Sequence, residues 1–396
     1  MRFLLIWIGI TVAAAIWVAS GVRQIAAPKD QTITERPAIL GMTWRAVDRP
    51  RALAVLTLLA FLVSYIAMIL AWEDFAYYDH ELFTQGTLKG HNIPLQITGT
   101  GRFYPLGWQE FNLIRHFTDM ITGYHLLPIV QLLIFFWILL ILDAELSVTA
   151  CVGLAILILL TPSVLISFSG LIFTEWNVLF FLACLVLSVK RFEQRPSITW
   201  AVAAVVSAQI MIYYEETAFL LLLGFATGRL ILRCRNGHHT RWDFVRLWNK
   251  ESRLDLCLGS LAVIFLICYF GTMGIHPSMG YAVAIGQPWA EIVLGYIRVD
   301  LLAWLLVAAV LGRTYLILRH RVAPLLLWDG LAFGGVACFL AYLYLSMFST
   351  YYLAPVDLIA VLYVGRFAVL SWKKMRSWAK ITAIPLSCPL FQVAGA

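Results

Sequence analysis

Four carboxylates and a histidine crowd into ten residues, Trp72-Glu73-Asp74-Phe75-Ala76-Tyr77-Tyr78-Asp79-His80-Glu81, at the end of an apolar run spanning 52–72. That run is long enough to cross a hydrocarbon core of about 30 Å. Acids at a bilayer edge cost free energy unless they are solvated or paired, so they are candidates for chemistry by default. Asp74, Tyr77, Tyr78 and Glu81 share one helical face by three- and four-residue spacing. A carboxylate so placed can take a proton from a hydroxyl at the membrane surface. Arg102, in Gly101-Arg102-Phe103-Tyr104-Pro105, lies further along the same loop, and Arg298 lies in a later one. Arginine's planar fork suits phosphate oxygens; the plainer role for either is pairing with a neighbouring acid, Glu110 or Asp300.

The elements that must hold these residues are membrane helices. The chain has 396 residues, 61% hydrophobic and 13% charged, and its mean hydropathy is +0.83. A soluble domain of that length does not hide so much apolar surface. We expect an all-α polytopic membrane protein, a single integral membrane domain over 1–396, with about eleven transmembrane helices. Apolar spans fall near 3–20, 52–72, 125–142, 147–166, 171–189, 198–214, 218–232, 254–271, 300–318, 323–348 and 353–372. The first resembles a signal peptide, but the basic residues after it would resist translocation, so an uncleaved helix is expected. Between spans lie a polar connector at 21–51, an acidic loop at 73–124 with juxtamembrane helices, a basic loop at 229–253 and a further loop at 272–299.

Charge fixes the sidedness. With 73–124 outside, 23 of the 29 Lys and Arg fall on the inner side, and only Arg2, Lys89, Arg102, Arg115 and Arg298 fall outside. That is the positive-inside bias of a multi-pass protein, so the net charge of +7 is topogenic and implies no nucleic-acid partner. Arg366, inside the last span, is expected to snorkel to the inner surface. Twelve of 22 acids lie at the outer side: Glu73, Asp74, Asp79, Glu81, Glu110, Asp119, Glu175, Glu215, Glu216, Glu291, Asp300 and Asp357. Acids contribute little to topology, so this excess asks for a catalytic or cation-binding explanation. The bland alternatives are acids that solvate helix ends and, for Glu175, one favoured by a helix dipole.

Several classes are excluded. No Walker-type phosphate loop or Gly-x-Gly-x-x-Gly turn occurs, which argues against a nucleotide-driven pump. All seven cysteines lie in spans or on the inner side, and none forms a Cys-x-x-Cys pair. Asp79, His80, Glu81 and His91 are metal-ligand types without a recognised spacing; no metal site is assigned, although a divalent ion would suit them. No Asn-x-Ser/Thr sequon occurs, consistent with a bacterial inner (plasma) membrane. Residues 106–122 read as amphipathic and are expected to lie flat on the bilayer.

The order of motifs resembles the GT-C class of membrane glycosyltransferases. The residues that carry the likeness are Glu73-Asp74 with Tyr77-Tyr78-Asp79, then Gly101 to Leu106, Phe173-Thr174-Glu175, Tyr213-Tyr214-Glu215-Glu216-Thr217, and Tyr351-Tyr352-Leu353-Ala354-Pro355. It covers roughly 52–372; an additional apolar helix precedes the one leading into the acidic loop. The resemblance implies a polyprenyl-phosphate-linked sugar as donor and a glycan, lipid or protein acceptor, with an acid of the first large outer loop at the reacting centre. Asp74 is the first choice as base, with Glu73 and Asp79 next. Arg102 and Arg298 are candidates for the donor phosphate. Tyr78, Glu175, Glu215, Glu216, Tyr351 and Tyr352 are candidates for substrate binding, and membrane lipids are the other partners. A lipid flippase or transporter, or a polysaccharide polymerase, is the alternative.

Sidedness is directly testable. In a cysteine-free background, Gly90→Cys should react with an impermeant thiol reagent added outside, and Thr240→Cys should not; the reverse pattern would overturn the topology.

Overall fold

The computed structural model describes residues 9–18, 20, 49–71, 87, 89–95, 103–235, 249–273, 288–345 and 349–383. Every regular element among them is helical. In chain order these are α1 (Gly9–Val18), α2 (Arg49–Ala71), α3 (Gln109–Ile114), α4 (Ile121–Leu142), α5 (Val148–Leu159), α6 (Pro162–Ser169), α7 (Glu175–Gln194), α8 (Ile198–Tyr214) and α9 (Ala218–Arg235). Then come α10 (Arg253–Met273), α11 (Trp289–Val299), α12 (Leu301–Leu318), α13 (Leu326–Tyr344) and α14 (Ala354–Ala383). Six of the described helices are long and apolar enough to cross a membrane, and a seventh crossing results if α5 and α6 form one span. The protein is a multi-pass membrane protein.

Local signals set the boundaries. Ser147 and Ser197 cap α5 and α8 through their hydroxyls, and Asp300 caps α12 by accepting from Leu302 and Ala303 N–H. Proline interrupts the expected span at 147–166: α5 and α6 meet at Thr161-Pro162 with a 70° bend. Pro162 has no N–H to continue the ladder and instead opens α6.

The glycines decide which helices touch. Gly224 and Gly228 on α9 face Gly330 and Gly334 on α13, two four-residue pairs on opposing helices. A Cβ on Gly334 would stand 2.6 Å from Leu221 O, and one on Gly224 2.7 Å from Ala337 Cβ. Backbones therefore approach as in small-xxx-small membrane contacts, where close packing replaces a hydrophobic driving force. Burial confirms the centre: 72% of the apolar window of α13 is buried, against 22% for α2 and for α12, whose leucines face outward as lipid-facing residues would.

Polar groups sort to the two ends. At one end, Arg229 Nε bonds Asp255 Oδ1 at 2.6 Å and its Nη2 reaches Glu193 at 2.8 Å, while Arg233 Nε bonds Asp255 Oδ2 at 2.7 Å. Arg313 pairs with Asp329, which also accepts from Tyr363 Oη. Arg366 pairs with Asp143 at 2.6 Å and Glu145 at 2.5 Å. This overturns the expected snorkelling: Arg366 is only 2% exposed and stays buried because two acids from the α4–α5 connection meet it there. The basic stretch 229–253 also begins inside helix, since α9 continues to Arg235; residues 236–248 lie outside the described part. The ion pairs in which both partners are described gather at this basic end.

Gly334→Ala should force α9 and α13 apart, costing roughly 1–3 kcal/mol as overpacking does. Gly312→Ala, where a Cβ meets nothing within 4 Å, is the control. Thermal unfolding in detergent should show a lower Tm for the first variant only.

Candidate functional site

The opposite, acid end is assembled from helix termini, among them the starts of α7 and α9 and the ends of α8 and α13. Tyr65, near the end of α2, bonds Leu165 O of α6 at 3.0 Å, so α2 delivers the chain to this end at Ala71. Glu73, Asp74, Tyr78 and Asp79 follow immediately but, like Arg102, lie outside the described residues.

The chain re-enters the described part at Phe103 and is pinned at once. Phe103 N–H donates to Glu216 Oε2 at 3.1 Å, Leu106 N–H to Tyr213 O at 3.0 Å, and Trp108 Nε1 to Ile172 O at 2.8 Å. Phe103, Tyr104 and Phe111 are buried. The expected flat surface helix over 106–122 is therefore replaced by the six-residue α3, docked onto the bundle. Trp108, just before it, has φ 59° and ψ 12°, the left-handed region. For a bulky residue that conformation costs of order 1–3 kcal/mol and persists only where surroundings impose it. The indole bond and the edge-on contact with Tyr104 at 5.2 Å do so here.

That strained entry aims Glu110 at the bundle. Asn177 Nδ2 of α7 donates to Glu110 Oε1 at 2.9 Å, and Tyr214 Oη of α8 donates to Oε2 at 3.1 Å. Gln131 Nε2 of α4 donates to Asn177 Oδ1 at 3.3 Å, which fixes the orientation of both amides. Burial pushes the Glu110 carboxyl up to about 7, and these two donors with its own backbone N–H only partly oppose the shift.

Of the residues singled out in the sequence, five meet here. Glu175 opens α7 and is 2% exposed; Glu215 ends α8 and accepts from Thr174 Oγ1 at 3.2 Å. Both act on the hydroxyl of Tyr342, which shares a 2.6 Å hydrogen bond with Thr217. Tyr352 stacks on Tyr342, and Tyr351 packs between Tyr352 and Phe173. Glu216 holds the incoming Phe103. Arg298 does not join them: it is exposed on α11 and makes no ion pair with a described residue. The sequence reading gave Glu110 only the part of a partner for Arg102, and missed Asn177 and Gln131 altogether. Their signal was an amide in each of two apolar spans.

Near this end Ser163, Asp300 and Asp357 form a second buried group. Ser163 Oγ donates to Asp357 Oδ2 at 2.5 Å, and the Asp300 carboxyl is within hydrogen-bonding reach of Asp357. Among the described residues no three His, Cys, Asp or Glu side chains gather as a metal would require; His91 is exposed, and Asp79, His80 and Glu81 lie outside. Two cavities lie between helices elsewhere, one beside Asp143 and Arg366, each with room for about one water. No family model matches the chain, and no curated protein or solved structure is significantly similar to it.

Glu110 makes stability depend on pH. Its folded-state value lies above the ordinary carboxyl value of 4.5, so the folded protein binds more protons in that window. The contribution is complete below the unfolded value and is lost as pH rises through about 7. Melting curves between pH 4 and 8 should show this decline in wild type and a weaker one in Glu110→Gln.

Proposed function

We propose that this chain is a membrane glycosyltransferase of GT-C type. It would move a sugar from a polyprenyl-phosphate donor to a glycan, lipid or protein acceptor at the outer face of an inner (plasma) membrane. On this reading the chain crosses eleven times: α1, α4, α7 to α10, α12 to α14 and α2 each span once, the bent α5–α6 pair makes the remaining crossing, and the acid end faces outward. The observation that carries the proposal is the convergence of Glu110, Glu175, Glu215 and Glu216 on the end where α2 stops at Ala71, two residues before Glu73 in the sequence. A lipid-borne sugar arrives there from the bilayer and a polar acceptor from water.

The chemistry follows from that location. The acceptor oxygen bonds to the sugar's anomeric carbon while the bond from that carbon to the phosphate oxygen breaks. The phosphate leaves with the electron pair, and the acceptor's proton passes to a carboxylate, with Asp74 first and Glu73 and Asp79 as its competitors. Departing phosphate needs positive charge, which Arg102 supplies, since Arg298 stands exposed on α11 apart from the grouped acids. Tyr78 offers a ring face to a sugar, whereas Tyr352 is buried against Tyr342 and Tyr351 and serves to hold the site together. One observation favours a second reading: the helix break at Thr161-Pro162 beside buried Ser163, Asp300 and Asp357 is a feature of transporters, which carry lipid-linked saccharides or ions past discontinuous helices.

In nanodiscs, wild-type protein should bind a polyprenyl-phosphate sugar and transfer it. Asp74→Asn should keep binding but lose about a hundredfold or more in rate. Wild-type protein that binds no such lipid, or moves it across the bilayer without transfer, would hand the case to the transporter reading.

A further inference from the structure

We propose that Glu110, Asn177, Gln131 and Tyr214 form the acceptor subsite, a site that binds the hydroxyls of one sugar ring at the acid end of the bundle. The inference rests on the glycosyl-transfer reading and says where in it the acceptor sits.

Glu110 receives one hydrogen bond on each oxygen from Asn177 and Tyr214, and a carboxylate has about four lone-pair positions. Its own backbone N–H takes one more, so acceptor capacity remains. Gln131 is 8% exposed; its Nε2 is committed to Asn177, and its Oε1 is buried with no donor on it. Tyr214 spends its proton on Glu110, leaving its oxygen as an acceptor. The group therefore has surplus acceptors, with a second N–H left on each of the Asn177 and Gln131 amides, and a buried acceptor without a donor is unfavourable. A ligand that suits it brings several O–H groups.

A cation suits it less well. The groups facing Glu110 are the Asn177 amide from α7 and the Tyr214 phenol from α8, with the Gln131 amide of α4 behind Asn177; none carries a formal charge. Burial keeps the carboxyl at about 7, so near neutral pH it is part protonated, as a cation site is not. Aromatic surface completes the chemistry of a sugar site. Tyr214 stacks with Phe181 at 6.1 Å, and Trp108 is only half-buried, two residues before Glu110. Glu110 as a whole residue is only half-buried, which places its inward-turned carboxyl near the surface of the bundle. Here it is a binding residue; the proton transfer stays with the loop acids.

The test is direct binding, which needs no donor lipid. Methyl α-D-mannoside, methyl β-D-glucoside and methyl β-D-galactoside are offered to nanodisc-embedded protein and read by saturation-transfer NMR, with choline as the cationic rival. At least one glycoside should bind wild type, and Glu110→Gln and Gln131→Met should each weaken it about tenfold or more. Affinity should rise between pH 6 and 8 as the carboxylate forms, because charge-assisted hydrogen bonds are stronger. With a transferable donor present, Glu110→Gln should raise the acceptor KM and leave donor affinity unchanged. Glycoside binding that depends on Glu110 supports the subsite even if no polyprenyl-phosphate sugar binds; the transferase reading then fails alone. No glycoside binding to wild type, equal binding by both variants, or binding of choline in place of glycosides overturns it.

Discussion

Four glycines allow α9 and α13 to meet backbone to backbone, and the remaining helices take their places from that contact. In a bilayer the lipid tails are as apolar as leucine, so helices gain little by hiding leucine from them. Association must come from close approach, and a Cβ at Gly334 or Gly224 would forbid it. The same contact sets the register at both ends of the pair. At one end Thr217 reaches Tyr342; at the other, Gly330 leaves room for the Arg229 side chain, whose Cγ would lie 2.3 Å from a Cβ there.

The two ends solve the burial of polar groups differently. At the basic end, guanidinium groups meet carboxylates in short, mostly buried pairs. Such pairs add little net stability, but losing one partner leaves an uncompensated charge, so they fix how helices are arranged. At the acid end, Glu110, Glu215 and Glu216 accept hydrogen bonds from an amide, hydroxyls and a backbone N–H. Neutral donors orient a carboxyl without cancelling its charge.

Helix type, the membrane as solvent and the gathering of acids near one set of helix ends were all readable from apolar runs and the bias of Lys and Arg. Pairings were not. Asn177 meets Glu110 across 67 positions and Arg366 meets Asp143 across 223. Such contacts depend on the rotation and depth of each helix, which periodicity leaves open when a span is apolar on all sides. Arg366 shows the cost: alone in a span it suggests snorkelling, and only the fold reveals the acids that keep it buried. Glu110 was similarly hidden, since an acid in a short amphipathic segment looks solvated until Trp108 turns it inward. The glycine spacing on α9 and α13 was visible in the sequence but silent about which helices it joined.

The long separation between Asp143 and Arg366 bears on how the chain is made. Arg229 finds Asp255 on the next helix to emerge, so α9 and α10 can enter the membrane as a neutralised hairpin during synthesis. Asp143 must wait until almost the whole bundle has been translated before Arg366 arrives with α14. In the interval Lys190 on α7, 4.0 Å from Asp143 in the finished fold, is the nearest cation already present. The order of synthesis therefore leaves the Asp143–Arg366 pair to be closed last, when α14 joins the bundle.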